Sequence, residues 1–592
     1  MLAKITKTNS VDHLGFNIAL KHLSFSLDKL SFVGVVSPKY QLLPPDISLS
    51  LSSGSRNWSF HCHVQADHHI IEGEIPTNEL DLDLSFKIFF NNIQCPWMQM
   101  RFDLTHLDDQ TLWTKYFSGY KRLMPALNLG GLAKRILSTV EVFHSGNPPS
   151  QFSAFCGLVR RADFVVRMAQ LSRHGRFPAV ISQEDGVVLG SRLCVDWNIL
   201  MIQEAEQRLF VFQGVTSCDA VFIPGLNKLI IVCHITPENI LSCLRELSLT
   251  PEFYQLDASR SFHGYLVGHA RPYHCNYDSL LALQRIRDEG ELLPDDALFS
   301  KDDEAFIDLG AGLGLVQKHQ IQTKANLNKM TEAKDGYLLK LGVFFGLQPP
   351  DKYTLELADT ADSSLRLFAS TNSTLSSSGA LDLLEECQPL LWVGITGQKR
   401  SWLEQVQGTA AILNKLYEHY PRLGVIFDGW TPPMINGDRS DYHRAEARKD
   451  NGVIQEIIKN LTFRKEGRFG IVAGLPMLEK IRVGMSADLY MANYTTGSIN
   501  IARICRKPGV GHMSRKMEPH KFQHIHYFTK EIDIQLVQDE CDPDKPTGYI
   551  NYSLPWQAVY NQLLVILHEL KIESVNSVLP LPIPEDNKIS AV

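Results

Sequence analysis

The sequence predicts an α/β fold with two Rossmann-like domains that face each other across a cleft, preceded by an antiparallel β domain. Three patterns in the 592 residues support this prediction. The first hundred residues alternate apolar and polar side chains. Short apolar runs then alternate with helical patterns from about residue 150, and a second block of the same kind follows residue 385. A chain of this length is typical of two to four domains.

Residues 1–148 form the predicted N-terminal β domain. Apolar side chains recur at every second position, as in Ile47, Leu49 and Leu51. This spacing places one face of each strand on a core and the other face in water. We therefore expect antiparallel strands, arranged as a sandwich.

Residues 149–350 form the predicted first Rossmann-like domain. The apolar runs 178–182, 220–224 and 229–233 lack the alternation of half-exposed strands. Strands that are buried on both faces and alternate with helices are typical of parallel sheets. We therefore expect these runs to be parallel strands.

A second Rossmann-like domain is predicted for residues 386–575, after a linker at 351–385 that contains a Ser/Thr-rich run. Its first strand is the buried run 390–395. A Pro-rich tail, residues 576–592, closes the chain.

The composition excludes several classes of protein. With 58 basic and 65 acidic residues the net charge is −7, whereas a dedicated nucleic-acid binder carries a basic face. The 11 Cys include no CxxC pair, so we expect neither a disulfide framework nor a Cys-based zinc site. No signal peptide or membrane-spanning run is visible. These features indicate a cytoplasmic protein, and a peripheral position at the inner membrane face stays open.

The stretch 390–402 is the first candidate for a functional loop. A buried strand ends at Ile395, a turn contains Thr396 and Gly397, and a helix is expected to begin near Ser401. The free N–H groups of a helix N-terminus favour an anion. Two cations, Lys399 and Arg400, lie in the same turn, and a diphosphate leaving group needs such charge. The alternative is a basic turn on a solvated surface.

A second candidate loop follows the predicted strand 488–492. The loop, Asn493–Ser498, is rich in hydroxyl groups and glycine, which allow a phosphate or ribose to approach closely. A helix follows and ends at Lys507-Pro508. The alternative is an ordinary strand–turn–helix capped by Thr or Ser. The candidate contacts within the loop are Thr495, Thr496, Gly497 and Ser498.

Together the two stretches resemble the donor-binding half of GT-B glycosyltransferases, and most of all the ADP-heptose-dependent heptosyltransferases. In that family a strand ends in a Thr/Ser-rich turn with Lys before a Trp, similar to Thr396–Trp402. An Asp-Leu, Asp-Thr/Ser-Gly and Lys-Pro series follows there, similar to residues 488–508, in which Thr495 stands where the family has its second Asp and Asn500 where it has a His. The resemblance implies contacts to the donor diphosphate from Lys399, Thr496, Gly497 and Ser498.

The resemblance also implies that each domain has a different role in binding. The second Rossmann-like domain binds the nucleotide-sugar donor and the first binds the acceptor, while the β domain recognises a larger acceptor or mediates assembly. GT-B enzymes generally use no catalytic metal and no cofactor apart from the donor. Lys399 and Arg400 then neutralise the leaving diphosphate, and the transfer is inverting.

The third candidate is the stretch 262–278. A strand at about 263–267 is expected to lead into a loop with His269, Arg271, His274 and Asp278. An inverting transfer needs a base for the acceptor hydroxyl, and His or a carboxylate can serve. His274 is the first choice, with Asp278 as its orienting partner or as the alternative base. His269 is the further catalytic candidate, and Arg271 is expected on the acceptor side. In the structural alternative, Asp278 caps the next helix, Arg271 binds carbonyls and the His residues are structural.

Two carboxylates complete the candidate donor site. Asp428 follows a predicted strand and is either a base or ribose contact or a turn former. Glu479 lies on the helix after Gly474, where GT-B enzymes often place a carboxylate on the ribose. We predict no metal site, because His61 and His63 share the solvent face of one strand without a further ligand.

We therefore expect a glycosyltransferase that moves a sugar from a nucleotide-diphosphate donor to a glycan, lipid-linked glycan or protein acceptor. A homo-oligomer stays open, and nucleic acid is not an expected partner. The alternatives are a non-catalytic GT-B-like binding or scaffold protein and a sugar-nucleotide epimerase. If loops 396–402 and 269–278 face one cleft, the enzyme is favoured, and if they point apart, it is not.

Overall fold

The computed structural model describes the strand segments between residues 3 and 102 and residues 140–584, apart from 234, 248–252, 254–255, 334–335, 348, 373–383, 385, 436–439 and 541–548. The chain divides into two compact units. The first comprises Met1–Gly157, Ala179–Gln213 and Cys218–Arg260, and the second comprises Leu158–Pro178, Gly214–Ser217 and Ser261–Val592. The domain boundaries expected from the sequence stay a prediction.

The first unit begins with strands that pair antiparallel. Two four-stranded sheets and one two-stranded sheet form, and Phe60 of one four-stranded sheet lies against Gly73 of the other. The alternation of apolar residues thus predicts strands correctly, while the sandwich domain stays a prediction. The strands are Ala3–Thr6, Phe16–Phe25, Lys29–Pro38, Ile47–Ser53, Arg56–His61, His63–Gln65, His68–Pro76, Leu84–Phe90, Ile93–Gln94 and Gln99–Phe102.

A fourth, largely antiparallel sheet follows in the same unit, and the helix Pro237–Leu247 contributes to its core. The expectation of parallel strands is wrong here. Ala220–Ile223 and Lys228–Ile231 pair antiparallel across a short turn in which Asn227 is left-handed. Such a turn is too short for a parallel crossover. The strands that this unit contributes to the sheet are, in spatial order, Glu141–His144, Lys228–Ile231, Ala220–Ile223, Gln207–Gln213, Trp197–Glu204 and Gly186–Cys194.

The run at 178–182 is not a strand either. Its backbone N–H groups instead donate to one carboxylate, since Val180, Ile181 and Ser182 all bind the side chain of Glu204 at 2.5–3.1 Å. A continuous apolar run looks the same in the sequence whether the segment is a buried strand or a buried loop.

The second unit contains two parallel sheets. The first parallel sheet has four strands in the order His319–Gln322, Leu298–Lys301, Ser261–Leu266, Gly336–Lys340. Further elements of this part are the short strand Arg176–Phe177 and the helices Ser153–Val159 (which spans the boundary between the units), Phe164–Ser172, Pro272–His274, Leu280–Asp288, Leu309–Gly312, Lys324–Ala333 and Lys352–Thr371, with a π-helical turn at Cys275–Ser279.

The second parallel sheet has six strands, Leu390–Gly394, Gly424–Asp428, Phe469–Ile471, Leu489–Asn493, Gly509–His512 and Thr529–Glu531 in chain order. In space they follow the order 3-2-1-4-5-6 of Rossmann sheets. The order reverses between the first and fourth strands, and ligands bind such sheets beyond the carboxyl ends at that point. The helices are Gln405–His419, Ser440–Lys459, Met477–Ser486 and Trp556–Glu569, with a π-helical segment Ile499–Ile504 and a small hairpin of Gln538–Asp539 with Tyr552–Ser553.

The first part of the predicted linker is the helix Lys352–Thr371. The Asp351 side chain caps it by accepting the Thr354 N–H at 2.8 Å. Its buried residues recur at helical spacing, as in Leu357, Ala361 and Leu365. None of the helices in the described part of the chain is both long and apolar enough to span a membrane.

Candidate functional site

The loop after strand Leu390–Gly394 is longer than expected. The helix begins at Gln405 instead of near Ser401, so Lys399 and Arg400 precede its first turn. The Gln405 side chain folds back on the loop, accepting the Thr396 N–H at 3.0 Å and donating to the Thr396 carbonyl at 3.1 Å. These two bonds fix the start of the loop on the helix.

The buried carboxylate of Asp450 binds the backbone of this loop. The oxygens of Asp450 accept the N–H groups of Gly397 at 2.8 Å and Trp430 at 2.6 Å. Burial raises the pKa of Asp450 to about 6, against the effect of these two bonds. A Cβ at position 397 would lie 2.9 Å from an Asp450 oxygen, so glycine is required for this approach.

The two cations of the loop lack a carboxylate partner among the described residues. Lys399 lies 4.2 Å from the centre of the Tyr549 ring. The Arg400 backbone is left-handed at φ 55°, and its Nε is buried without a hydrogen bond. Desolvation first, and then neighbouring cations, lower the pKa of both groups. A cation that is partly desolvated and has no carboxylate partner is stabilised when an anion binds to it.

The loop Asn493–Ser498 is bonded directly to the first loop. Asn493 Nδ2 donates to the Arg400 carbonyl at 3.0 Å and to Thr396 Oγ1 at 3.3 Å. The two loops therefore meet at the point where the strand order of the second parallel sheet reverses. The sequence pattern did not single out Asn493, because its partners lie nearly a hundred residues away.

The four predicted phosphate contacts of this loop differ in access. Thr495 and Ser498 are buried, and their hydroxyls bond within the protein, Thr495 to Asn493 Oδ1 at 2.8 Å and Ser498 to the Thr495 carbonyl at 2.8 Å. Thr496 and Gly497 are half-buried. Of the four, the latter two are the more accessible to a ligand.

The third candidate stretch is helical where a loop was expected. The strand is Ser261–Leu266, and the helical segment begins at Pro272, inside the expected loop. Proline at the first helical position is a known start signal, and it identifies this boundary in retrospect. His274 and Asp278 are therefore one helical turn apart, and His274 Nδ1 lies 2.8 Å from Asp278 Oδ2.

Asp278 is 1% exposed and does not cap the helix Leu280–Asp288 that follows it. Its second oxygen accepts the Phe345 N–H at 3.2 Å. The nearby His269 ring lies 4.6 Å from that of His274, and its Nδ1 accepts the Arg271 N–H at 3.0 Å. Arg271 itself is exposed, and its guanidinium has no hydrogen-bond or ion-pair partner in the described part of the chain.

Contacts inside the second unit bring the helical segment of the first parallel sheet to the loops of the second. Tyr273 donates its hydroxyl to the Gln523 carbonyl at 2.8 Å, and the Tyr277 hydroxyl accepts the Ile525 N–H at 2.9 Å. The charge of Arg271 lowers the pKa of both Lys399 and Arg400. Residues 273–277 thus contact residues 523–525 of the second parallel sheet, while the joint facing of loops 396–402 and 269–278 stays a prediction.

A fully buried ion pair stabilises this arrangement. Arg503, in the π-helical segment, binds Asp362 through two bonds of 3.0 and 3.1 Å. It also donates to the Asn276 carbonyl at 3.0 Å, and its guanidinium lies 4.4 Å from the centre of the Tyr277 ring. One side chain therefore joins the loop helix of the second sheet to two helices of the first. Sequence reasoning missed both partners.

Asp428 and Glu479 are the remaining two predicted residues. Asp428 is buried and binds Lys480 Nζ at 2.7 Å, and Lys480 also donates to the carbonyls of Gly429 and Trp430, each at 2.9 Å. Asp428 thus has a structural partner. Glu479 is half-buried in the first turn of helix Met477–Ser486. The roles of all the candidate residues in binding stay predictions.

No cluster of three or more His, Cys, Asp or Glu side chains suited to a metal ion occurs within the residues that the structure describes.

Comparisons with known proteins add little to this geometry. No protein-family model matches the chain, and neither does any curated protein. Among solved structures, the chain is similar to a glycosyl transferase family 9 protein from Veillonella parvula DSM 2008, at 11% sequence identity and a TM-score of 0.25, over 46% of this chain and 86% of that one. A similarity at this TM-score carries no argument about fold or function.

Proposed function

We propose that this protein is a GT-B-type glycosyltransferase that moves a sugar from a nucleotide-diphosphate donor to a glycan, lipid-linked glycan or protein acceptor. The observation that carries the proposal is the position of Lys399 and Arg400, which lack a carboxylate partner among the described residues, in the loop where the strand order of a Rossmann-type sheet reverses. Cations without carboxylate partners at this edge suit a diphosphate.

In this proposal the cations act on the leaving group. Negative charge develops on the diphosphate as the glycosidic bond to the donor breaks, and fixed positive charge stabilises that transition state. In the neighbouring loop the backbone N–H of Thr496 adds a hydrogen bond in this proposal, whereas the Gly497 N–H already donates to Thr495 Oγ1 at 3.3 Å. Lys399 and Arg400 supply charge that a metal ion supplies in other transferases.

His274 is the base in this proposal, and Asp278 orients it. A carboxylate at 2.8 Å holds a proton on Nδ1, so Nε2 is the nitrogen that takes the proton of the acceptor hydroxyl. Asp278 is 1% exposed and already holds the Phe345 N–H. Its burial favours the orienting role over the alternative in which Asp278 is itself the base.

A ligand screen followed by two variants tests the proposal. Thermal-shift screening with nucleoside diphosphates should find one that raises the melting temperature, since a ligand at 100 times its dissociation constant adds about 2.7 kcal/mol of stability. Lys399→Ala should weaken the binding of that nucleotide by about 1.5–3 kcal/mol, which is the contribution of a hydrogen bond to a charged group. Stabilisation by none of the nucleotides, or equal affinity in the variant, contradicts the diphosphate assignment.

The second variant, His274→Ala, separates binding from chemistry. Donor affinity should be unchanged, because His274 is not among the cations that hold the diphosphate, while transfer to the acceptor should be lost. The control is His568→Ala, an exposed histidine on helix Trp556–Glu569, which should transfer sugar at the wild-type rate. Full activity in His274→Ala would move the base elsewhere.

A further inference from the structure

A segment near the end of the chain, residues 549–553, lies against the loop 396–402, and no sequence pattern connected the two. The Tyr552 N–H donates to the Ser401 carbonyl at 3.1 Å, and the Leu403 N–H donates to the Tyr552 carbonyl at 2.8 Å. The segment therefore adds a short piece of paired backbone to the loop, although the two are about 150 residues apart in the chain.

Two side chains of the same segment fix this arrangement. Asn551 Oδ1 accepts the Ser401 N–H at 3.0 Å. The Tyr552 hydroxyl lies 2.6 Å from Nδ1 of His512, the last residue of the fifth strand of the second parallel sheet. The segment 549–553 is therefore held by the loop and by the sheet at the same time.

The first residue of the segment places an aromatic ring beside the Lys399 side chain. Lys399 Nζ lies 4.2 Å from the centre of the Tyr549 ring, which is within the range of a cation–π contact. Tyr549 is 46% exposed, and Lys399 is half-buried. The contact therefore lies at the protein surface, where a ligand can reach the ammonium group.

A lysine side chain needs a constraint of this kind to act as a fixed cation. Its four-carbon stem rotates freely in water, and confining it costs rotamer entropy. A neighbouring ring lowers that cost before any ligand binds. The ring occupies only one side of the ammonium group, which has three N–H donors, so an anion can bind on another side without displacing the ring.

We propose that Tyr549 is a positioning residue that holds Lys399 in place for the diphosphate of the donor. The proposal rests on the proposed function and deepens it, because it adds the segment 549–553 to the two loops of the donor site. Tyr549 acts through Lys399 and does not itself contact the ligand. Its ring should therefore affect anion affinity only while Lys399 is present.

The test measures the affinity of the full-length chain for inorganic pyrophosphate by isothermal titration. Tyr549→Ala should weaken binding about 2- to 30-fold, the range that corresponds to a cation–π contact. Tyr549→Phe retains the ring and should restore binding close to the wild-type affinity. The matched control is Tyr353→Ala on helix Lys352–Thr371, which removes a ring 4.7 Å from the Arg285 guanidinium and should leave pyrophosphate affinity unchanged.

A double variant distinguishes positioning from direct contact. In the Lys399→Ala background, Tyr549→Ala should cause no further loss of pyrophosphate affinity, because the ring then has no cation to hold. A further loss there would mean that the ring contacts the ligand itself. Tighter binding by Tyr549→Ala would mean that the ring competes with the anion for Lys399. Weaker binding of a nucleoside diphosphate alone would mean that the ring contacts the nucleoside. Each of these three results overturns the proposal.

Stability measurements separate a structural role from a positioning role. The urea midpoint of Tyr549→Ala should lie close to that of the wild type, because nearly half of the residue is exposed. Lower stability with unchanged pyrophosphate affinity would make Tyr549 a structural residue and overturn the proposal. Affinity that falls in Lys399→Ala but not in Tyr549→Ala contradicts this inference and leaves the proposed function standing. Absence of pyrophosphate and nucleoside diphosphate binding in the wild type refutes both.

Discussion

The buried pair Arg503–Asp362 should be the most sensitive structural feature of the second unit. Both residues are 0% exposed, and Arg503 also holds the Asn276 carbonyl, so the variant Arg503→Met leaves a carboxylate and a carbonyl without partners inside the protein. Removal of one partner of a buried ion pair costs about 3–5 kcal/mol. We expect urea denaturation of Arg503→Met to show a loss of this size.

A double-mutant cycle separates the interaction free energy of Arg503 and Asp362 from the cost of burying an unpaired charge. Asp362→Leu alone should also destabilise strongly, because it leaves Arg503 buried without its counter-ion. The double variant Arg503→Met/Asp362→Leu should lose less than the sum of the two single changes, because an apolar pair needs no counter-ion. Arg161→Met is the matched control at an exposed pair with Asp163, and no measurable change is expected. A loss below about 1 kcal/mol in Arg503→Met, or strict additivity, would refute this reasoning.

Three other predictions concern pH and the loops. His319, His512 and His526 have pKa values lowered by burial to about 4, 4 and 3. The unfolded chain therefore binds more protons, and stability present above pH 6.5 is lost as the pH falls towards 4, by about 2 kcal/mol per histidine at pH 5. Asp450, with its pKa raised to about 6, acts in the opposite sense and offsets about 1.4 kcal/mol at pH 5. Urea midpoints between pH 8 and 5 measure the sum, and a flat profile contradicts it. Asp450→Asn should weaken pyrophosphate binding by up to about 10-fold in titrations, since an amide has one acceptor oxygen for two N–H groups. Unchanged affinity would show that the Gly397 loop does not depend on this support. Tyr273→Phe leaves the Gln523 carbonyl without its donor and should cost about 1–2 kcal/mol in urea denaturation. No loss of stability would show that this bond is not needed.

Local pattern was enough to predict the second parallel sheet and the two loops at its edge. Strand 390–394 and strand 489–493 are apolar runs followed at once by Thr- and Gly-containing turns, and such features lie within a few residues of each other. The pattern was not enough to predict where helices start. The Gln405 side chain binds the backbone of Thr396, nine residues earlier in the chain, so residues 396–404 stay in the loop. The helix therefore begins at Gln405 and not near Ser401, where the turn residues indicate.

The parts that sequence reasoning missed depend on distant residues. Asp362 and Arg503 are 141 positions apart, and neither has a neighbour in the sequence that marks it as buried. The antiparallel pairing of 220–223 with 228–231 was missed for another reason. Strands buried on both faces show continuous apolar runs whether the sheet is parallel or antiparallel, and only the short turn between these two distinguishes the cases.

Calorimetric titration of nucleoside diphosphates into the wild-type protein and into Lys399→Ala/Arg400→Ala tests the central claim most directly. The account predicts that at least one nucleotide binds the wild type, and that removing both cations abolishes measurable binding while the melting temperature of the free protein does not fall. Equal affinity in the two proteins, or no binding to the wild type, would contradict it.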